Sequence, residues 1–262
     1  MSAISRPAFF GVSALLFAAS ATATIVWCAS MSSMGEMSMP GGWTMSMAWM
    51  RMPEQTWAAF AASFIGMWVV MMVAMMLPSL TPMLWRYSRA AGSTGDSRIG
   101  GLTALVGIGY FFAWTVFGLA VFAPGVALAE LAMRLPTLAR AAPIAVGGVV
   151  LIAGALQFTA WKTHHLACCR AAAGCGRELP ASAGTAWRYG LRLGIHCCCC
   201  CAGLTVMLLV IGVMDLRAMA LVAAAITLER LSPGRERVAR AIGVVVVGAG
   251  LFLIARAARP LL

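Results

Sequence analysis

Long apolar segments recur along the chain and predict most of its architecture. They cover about residues 8–28, 57–84, 101–122, 142–161, 194–214, 217–230 and 241–256. In the hydrocarbon core of a bilayer every backbone N–H and C=O must be bonded internally, so an apolar segment of about 20 residues crosses it as a helix. The long runs lack the polar alternation of barrel strands. We therefore predict an all-α, polytopic transmembrane helical bundle with about seven spans, of which the sixth is the shortest.

The composition supports a membrane protein rather than a soluble domain. Of the 262 residues, 62% are hydrophobic and only 10% are charged, and the mean hydropathy is +0.91. Soluble domains have about a quarter of their residues charged. The connections between the spans are short and leave no room for a separate soluble domain. We expect a multi-pass protein of the bacterial inner membrane, in contact with the lipid bilayer.

Positive charges flank the apolar segments unevenly and predict the orientation, because cytoplasmic loops carry an excess of Lys and Arg. With a cytoplasmic N-terminus, 13 of the 19 Lys and Arg residues lie inside and 6 lie outside. The inside set is Arg6, Arg86, Arg89, Arg98, Lys162, Arg170, Arg177, Arg188, Arg192, Arg230, Arg235, Arg237 and Arg240, and the outside set is Arg51, Arg134, Arg140, Arg217, Arg256 and Arg259. This topology accounts for the net charge of +11 without any nucleic-acid partner.

The first apolar segment has two interpretations. Residues 1–29 form either a retained transmembrane helix or a cleaved signal sequence, since Arg6 precedes the apolar stretch and small residues follow it. Its length favours the retained helix, and cleavage would leave six spans. We expect residues 30–56 to form an outer, periplasmic Met-rich loop. Residues 57–262 then form a metal-binding bundle with a cytoplasmic Cys/His loop at 162–192.

The outer loop contains eight of the nineteen methionines on a Gly- and Ser-rich backbone. They are Met31, Met34, Met37, Met39, Met45, Met47, Met50 and Met52. A thioether is a soft, uncharged ligand that suits Cu(I) and does not depend on deprotonation. Methionine also serves as a packing residue, but a polar and flexible loop offers no core to fill. The loop therefore predicts copper or silver capture, with Met34, Met37, Met39, Met45 and Met47 as ligands.

Methionines also form stripes along the second span. Met67, Met71 and Met75 repeat every four residues, as do Met72 and Met76, so that each set shares one side of a helix. Such a stripe could pass a soft ion along Met71, Met75 and Met76. Packing is an equal alternative, because methionines at helical spacing commonly fill a core. Pro78 and Pro82 are expected to kink or end this helix near its cytoplasmic end.

The strongest chemical signal is the run "IHCCCCC" at residues 195–201. Five consecutive helical residues point all round the cylinder, so they cannot all bind one ion. Only Cys197, Cys200 and Cys201, at positions i, i+3 and i+4, share a face. His196 lies one turn from Cys200 and is a flanking candidate. Cys198 and Cys199 are interpreted as packing residues, because free cysteine behaves as a small hydrophobe.

A second group of ligands follows the fourth span in "QFTAWKTHHLACCRAAAGC". If that helix continues, His164 aligns with Cys168 and His165 with Cys169, each at i and i+4. His165 and Cys169 are the preferred ligands, ahead of Cys175. The absence of a zinc-ribbon C-x2-C pair favours copper over a structural zinc.

Glu229 is a further candidate ligand from the sixth span. If the chain turns near Asp215, antiparallel packing brings Glu229 to the depth of Cys200. A carboxylate inside an apolar helical hairpin is a functional-site candidate. An interfacial ion pair with Arg230 or Arg235 is an equal alternative.

These motifs resemble the DUF2182 family of predicted metal-binding bacterial membrane proteins, for which copper handling has been suggested. The resemblance covers most of the chain from about residue 30. It includes the Met-rich loop, "MMVAMMLPSLTPM" at 71–83, "GYFFAW" at 109–114 and "GVMDL" at 212–216. The family's C-x-x-C-C pattern corresponds to Cys197, Cys200 and Cys201.

Two departures from the family pattern concern histidines. The family's K-x-x-C-L-x-x-C-R pattern matches at Lys162, Leu166, Cys169 and Arg170, while His165 stands where a cysteine is usual. His196 takes the place of an aromatic residue. The family's Glu-Lys pair near the end is represented by Glu229 and Arg230.

The sequence thus predicts a non-enzymatic copper-handling protein that binds Cu(I) outside on methionines and inside on cysteines, for uptake, transfer or delivery. One alternative is a membrane thiol-disulfide or quinone-linked oxidoreductase that uses Cys197 and Cys200. A second is an assembly factor for a copper-dependent membrane enzyme, with a periplasmic or membrane copper protein as partner. Small residues at 147–155 permit close helix packing within the bundle or in a homo-oligomer.

Overall fold

The structure, a computed structural model, describes residues 5–33, 35, 37–92, 98–171 and 182–258. These residues form eight α-helices, one two-stranded antiparallel hairpin and a short 3-10 turn at Met47–Trp49. The helices are α1 (Arg6–Ser33), α2 (Trp57–Gly92), α3 (Ile99–Arg134), α4 (Pro136–Leu156), α5 (Ala160–Ala171), α6 (Ala183–Gly212), α7 (Leu216–Leu231) and α8 (Arg235–Ala258). The hairpin strands are β1 (Met37–Met39) and β2 (Trp43–Met45).

Six of the described helices are long and apolar enough to cross a membrane, namely α1, α2, α3, α4, α6 and α8. The prediction of an all-α polytopic bundle is therefore confirmed, and the protein is a multi-pass membrane protein. The segment predicted as a short sixth span forms α7, which has 16 residues. At 1.5 Å per residue it is about 24 Å long, less than the hydrocarbon core of about 30 Å.

Helix α7 nevertheless runs back along α6 to the depth of the cysteines. Asp215 caps its N-terminus, and the Asp215 carboxylate accepts hydrogen bonds from the backbone N–H groups of Arg217 and Ala218. Near its other end, Glu229 contacts the same lysine that contacts the carbonyl of Cys200. The predicted match in depth between Glu229 and Cys200 is thus confirmed.

Glycines bring α3 and α6 into backbone contact. A Cβ added at Gly109 would lie 2.9 Å from the carbonyl oxygen of Trp187, and one added at Gly194 would lie 2.7 Å from that of Tyr110. The same close approach joins α4 to α8, where a Cβ at Gly154 would lie 2.7 Å from the backbone nitrogen of Val247. Small residues at membrane helix interfaces allow this separation. The "GGVVLIAGA" segment therefore packs within the bundle.

Helix α2 is the most deeply buried of the spans. Its buried side chains include Trp68, whose indole N–H donates to the Trp114 carbonyl of α3 at 2.8 Å. The helix continues through Pro78 and Pro82 to Gly92, so the prolines do not end it. All the methionines of the predicted stripes are buried in the central core.

The described part of the Met-rich segment includes a hairpin, which the sequence did not predict. Met37 pairs with Met45 and Met39 with Trp43 across the hairpin. Gly41 and Gly42 have φ values of +106° and +74°, which a turn of this kind requires. Met39 and Met45 are buried against Ala129, Ala132 and Ala139. The expectation of a loop with nothing to fill is wrong for these two methionines, because the turn between α3 and α4 supplies a small apolar surface.

We predict that Gly194→Ala destabilises the protein by about 1–3 kcal/mol, because the added methyl group would force α3 away from α6. The measurement is thermal unfolding of detergent-purified protein. Gly184→Ala on the same helix is the matched control, since a Cβ there meets nothing within 4 Å. Equal unfolding temperatures for the two variants would contradict the importance of this close contact.

Candidate metal centre

Three buried thiols on α6 form the centre of the candidate site. Cys197, Cys200 and Cys201 have Sγ atoms within 4.8 Å of one another. The Cys200–Cys201 separation is 3.5 Å and the Cys197–Cys201 separation is 3.8 Å. Two sulfurs bound at about 2.3 Å to one tetrahedral ion lie about 3.8 Å apart. Two of the three thiol pairs therefore already stand at ligand spacing.

The helical period explains why these three converge and their neighbours do not. Residues at i, i+3 and i+4 share one face, and this face of α6 is turned toward the bundle interior. Cys198 is also buried, and Cys199 is partly exposed. Neither belongs to the group of thiols within 4.8 Å, as the sequence predicted.

A fourth sulfur comes from α5. Helix α4 ends at Leu156, and α5 begins at Ala160 after a turn, so the fourth helix does not simply continue. The turn brings the buried Cys169 to 4.0 Å from Cys200, measured between the Sγ atoms. This contact joins the two cysteine groups that lie far apart in the sequence. Cys175 lies outside the described residues.

A buried ion pair fixes α5 and α7 against the cysteine helix. The Lys162 ammonium donates to Glu229 Oε2 at 2.7 Å and to the Cys200 carbonyl at 2.6 Å. Both side chains are almost completely buried. Glu229 is thus ion-paired, with Lys162 in place of the Arg230 or Arg235 that the sequence analysis gave as an alternative. Glu229 Oε1 has no hydrogen-bond partner among the described residues.

Arg230 contacts the thiol group directly, which the sequence analysis did not predict. Its buried guanidinium donates to Ser79 Oγ at 2.7 Å, to Tyr110 Oη at 3.1 Å and to Cys197 Sγ at 3.3 Å. It also donates to Met83 Sδ at 3.2 Å. Within the described part of the chain, no carboxylate forms a salt bridge with it. Two features of the sequence pointed to this residue. Arg230 directly follows Glu229, and its contact Tyr110 belongs to the "GYFFAW" motif.

The positive charge of Arg230 lies beside the sulfur of Cys197. An arginine side chain stays protonated, and a buried charge requires a partner. Of the two acidic groups that it contacts, Tyr110 and Cys197, the thiol is ordinarily the more acidic, and it also accepts a hydrogen bond from Tyr110 at 2.9 Å. Two donors, the Arg230 guanidinium and the Tyr110 hydroxyl, thus point at the Cys197 sulfur, whose thiolate is the form that binds a metal ion.

The histidines form a separate pair beside the thiols. His165 on α5 and His196 on α6 have their Nδ1 atoms 3.2 Å apart. Neither is part of the compact thiol group. His164 instead lies near Cys168, with 3.6 Å between Nε2 and Sγ.

The predicted methionine ligands occupy two different regions. Met71, Met75 and Met76 are buried in the core with the thiols. The outer candidates lie in the hairpin and the 3-10 turn that follows it, and these are Met37, Met39, Met45 and Met47. Met34 lies outside the described residues.

Comparison with known proteins identifies the family. The family model PpoB2, described as a copper chaperone, matches residues 65–253. This match spans most of the chain and includes every cysteine of the candidate site. No curated protein and no solved structure was found to match. The chain belongs to the PpoB2 copper chaperone family, which confirms the expected relation to copper and implies a non-enzymatic role. The DUF2182 name is not part of this match.

We predict that Arg230→Met lowers the affinity for Cu(I) by about 10–100-fold, a range typical of lost outer-shell partners. The substitution removes the cation that favours the Cys197 thiolate. Competition against a soluble Cu(I) chelator measures the effect on purified protein. Arg237→Met, at an exposed position, is the control. An unchanged affinity in Arg230→Met would exclude an electrostatic role for the guanidinium.

Proposed function

We propose that this protein takes up Cu(I) at its outer hairpin and holds one ion at Cys197, Cys200 and Cys201, with Cys169 as a fourth sulfur. The observation that carries the proposal is the convergence of buried thiols from α5 and α6 at ligand spacing. The copper chaperone family supports the choice of metal. The ion is cargo to be transferred, in a protein of the bacterial inner membrane with its thiol site on the cytoplasmic side.

The donor types favour Cu(I) over zinc. Thiolate sulfur suits both Cu(I) and zinc, but thioether sulfur suits Cu(I), whereas zinc sites use cysteine, histidine and carboxylate ligands. Here the thiol group shares its core with Met72, Met75 and Met76. The buried carboxylate of Glu229 is engaged by Lys162 instead. An ion that accepts both sulfur types fits this interior best.

One face of α2 provides a path toward the thiols. At 100° per residue, Met72, Met76, Ser79 and Met83 fall within a sector of about 60°. Ser79 and Met83 contact Arg230, which contacts Cys197. Met72 and Met76 are fully buried on the same face, toward the outer side. We therefore assign the path of the ion along α2 to Met72 and Met76. Met71 and Met75 lie further round the helix.

The outer hairpin supplies the first ligands. Met37 and Met45 are direct cross-strand partners, so their side chains leave the same face of the hairpin. Met37 is 38% exposed, whereas Met45 is 5% exposed. An ion captured by the exposed thioether can thus move to a buried one. Thiolates bind Cu(I) more strongly than thioethers, and this difference drives transfer inward by ligand exchange.

We predict that Cys197/Cys200/Cys201→Ser loses the one tight Cu(I) site, because the shared face of α6 then lacks its thiolates. Anaerobic Cu(I) stoichiometry and affinity on purified protein measure the loss. Cys198/Cys199→Ser changes the same run at the two positions outside the thiol group and is the matched control, with the tight site retained.

Equal loss of binding in both variants would mean that the run acts only through packing. Unchanged binding in the triple variant would rule out the proposed site. A reproducible two-electron reduction potential in the metal-free protein, lost in the triple variant, would support the oxidoreductase alternative. Co-purification of a copper-dependent membrane enzyme would support the assembly-factor alternative.

We predict that Met72/Met76→Leu slows Cu(I) accumulation in proteoliposomes at least several-fold while the tight site keeps its stoichiometry. Leucine preserves most of the packing volume and removes both thioethers. Met133→Leu, at a position 41% exposed on α3, is the control. If both variants accumulate copper at the wild-type rate, the methionine face is packing alone.

A further inference from the structure

The histidine pair and the thiols form two successive levels between the same two helices. His165 faces His196 across α5 and α6, with 3.2 Å between their Nδ1 atoms. Cys169 and Cys200 stand four residues further along the same helices, with 4.0 Å between their Sγ atoms. Because residues at i and i+4 are neighbours on a helix, each imidazole lies one turn from one of these thiols.

The imidazole pair has the geometry of two metal ligands. Imidazole nitrogens bind at about 2.0 Å, and two such ligands at a tetrahedral angle lie about 3.3 Å apart. The observed separation of 3.2 Å agrees with this value. The two Nδ1 atoms are within hydrogen-bond distance, and the tautomer of each ring decides which of them donates. When an ion binds, the ring protons occupy the Nε2 atoms and both Nδ1 lone pairs become available.

Neighbouring side chains hold His165 in this orientation. The Trp161 ring meets it edge to face with 4.7 Å between centroids. The His196 ring lies 5.4 Å away at an interplanar angle of 44°. His164, the other histidine on α5, is exposed and contacts Cys168. The arrangement is therefore specific to two of the three histidines in the chain.

The two levels differ in how deeply they are buried. His165 and His196 are each partly exposed, whereas Cys169 and Cys200 are buried. Two protein nitrogens do not complete a coordination shell, and an incomplete shell leaves positions for an incoming ligand. The thiol level has no such exposure. Of the two levels, the histidines are therefore the one open to an acceptor from outside the bundle.

We propose that His165 and His196 form a second copper site, an exchange site through which the ion passes between the buried thiols and a soluble, thiol-bearing acceptor in the cytoplasm. This assignment rests on the proposed function and adds the route by which the ion leaves or returns. The acceptor supplies the remaining ligand at the histidines. The ion moves by one helical turn between the two levels, with no change of oxidation state.

The first test is the rate of Cu(I) transfer from the loaded full-length protein to the soluble chelator bicinchoninate. We expect His165→Ala/His196→Ala to keep one tight ion and to slow the transfer on the order of tenfold, the scale of other supporting-ligand losses. His164→Ala is the matched control and should transfer at the wild-type rate. An unchanged rate in the double variant would overturn the exchange site.

X-ray absorption at one and two equivalents of Cu(I) separates this proposal from the function on which it rests. The first equivalent should show sulfur ligands alone. The second should add nitrogen ligands with imidazole scattering, absent in the double variant. A first equivalent without sulfur ligands would refute the thiol site. A second equivalent without imidazole, with sulfur ligands intact in the first, would refute the histidine site only.

Discussion

The buried guanidinium of Arg230 is the constraint around which the inner half of the bundle is arranged. A charge in the interior of a membrane protein is costly unless its donors are satisfied. Its partners come from three other helices: Ser79 and Met83 on α2, Tyr110 on α3 and Cys197 on α6. Four helices including α7 therefore have their relative positions fixed by one side chain. The sulfur that it contacts belongs to the thiol group.

The close packing of α3 on α6 follows from the same requirement. Tyr110 reaches both Arg230 and Cys197 only because the glycines of the interface remove the side chains between the helices. On the other side of the site, Lys162 joins the Cys200 carbonyl to Glu229. Tyr110 holds the cysteine segment at the Cys197 sulfur, and Lys162 holds it at the Cys200 carbonyl. The thiols are thus held in a rigid surrounding, which lowers the reorganisation needed when an ion binds.

The sequence was sufficient wherever the physics is local. Apolar length identified the six long spans, and the helical period alone selected Cys197, Cys200 and Cys201 from a run of five. Even the depth of Glu229 followed from counting residues on either side of one turn. Local rules failed for the hairpin, because strands of three residues are too short to show a pattern.

The remaining parts of the site depend on contacts that no local pattern encodes. The 4.0 Å contact between Cys169 and Cys200 joins positions 31 residues apart. The contact between Arg230 and Ser79 joins positions 151 residues apart. Each depends on the angle at which α5 or α7 packs, and a few degrees would remove it. Sequence motifs indicated that Tyr110 and Glu229 matter, but the structure was needed to connect them to Arg230 and Lys162.

The position of Arg230 also bears on the order of events in the proposed path. A cation moving along the face of Met72 and Met76 arrives beside Ser79 and Met83, where the guanidinium would repel it. This repulsion is offset only when the adjacent thiol carries a negative charge. A Cys197 thiolate neutralises the arginine, and a second thiolate in the group then neutralises the incoming Cu(I). Charge balance in a low-dielectric interior therefore requires thiolate formation before or during arrival of the ion. The inner site thus accepts the ion only when two of its thiols have lost their protons.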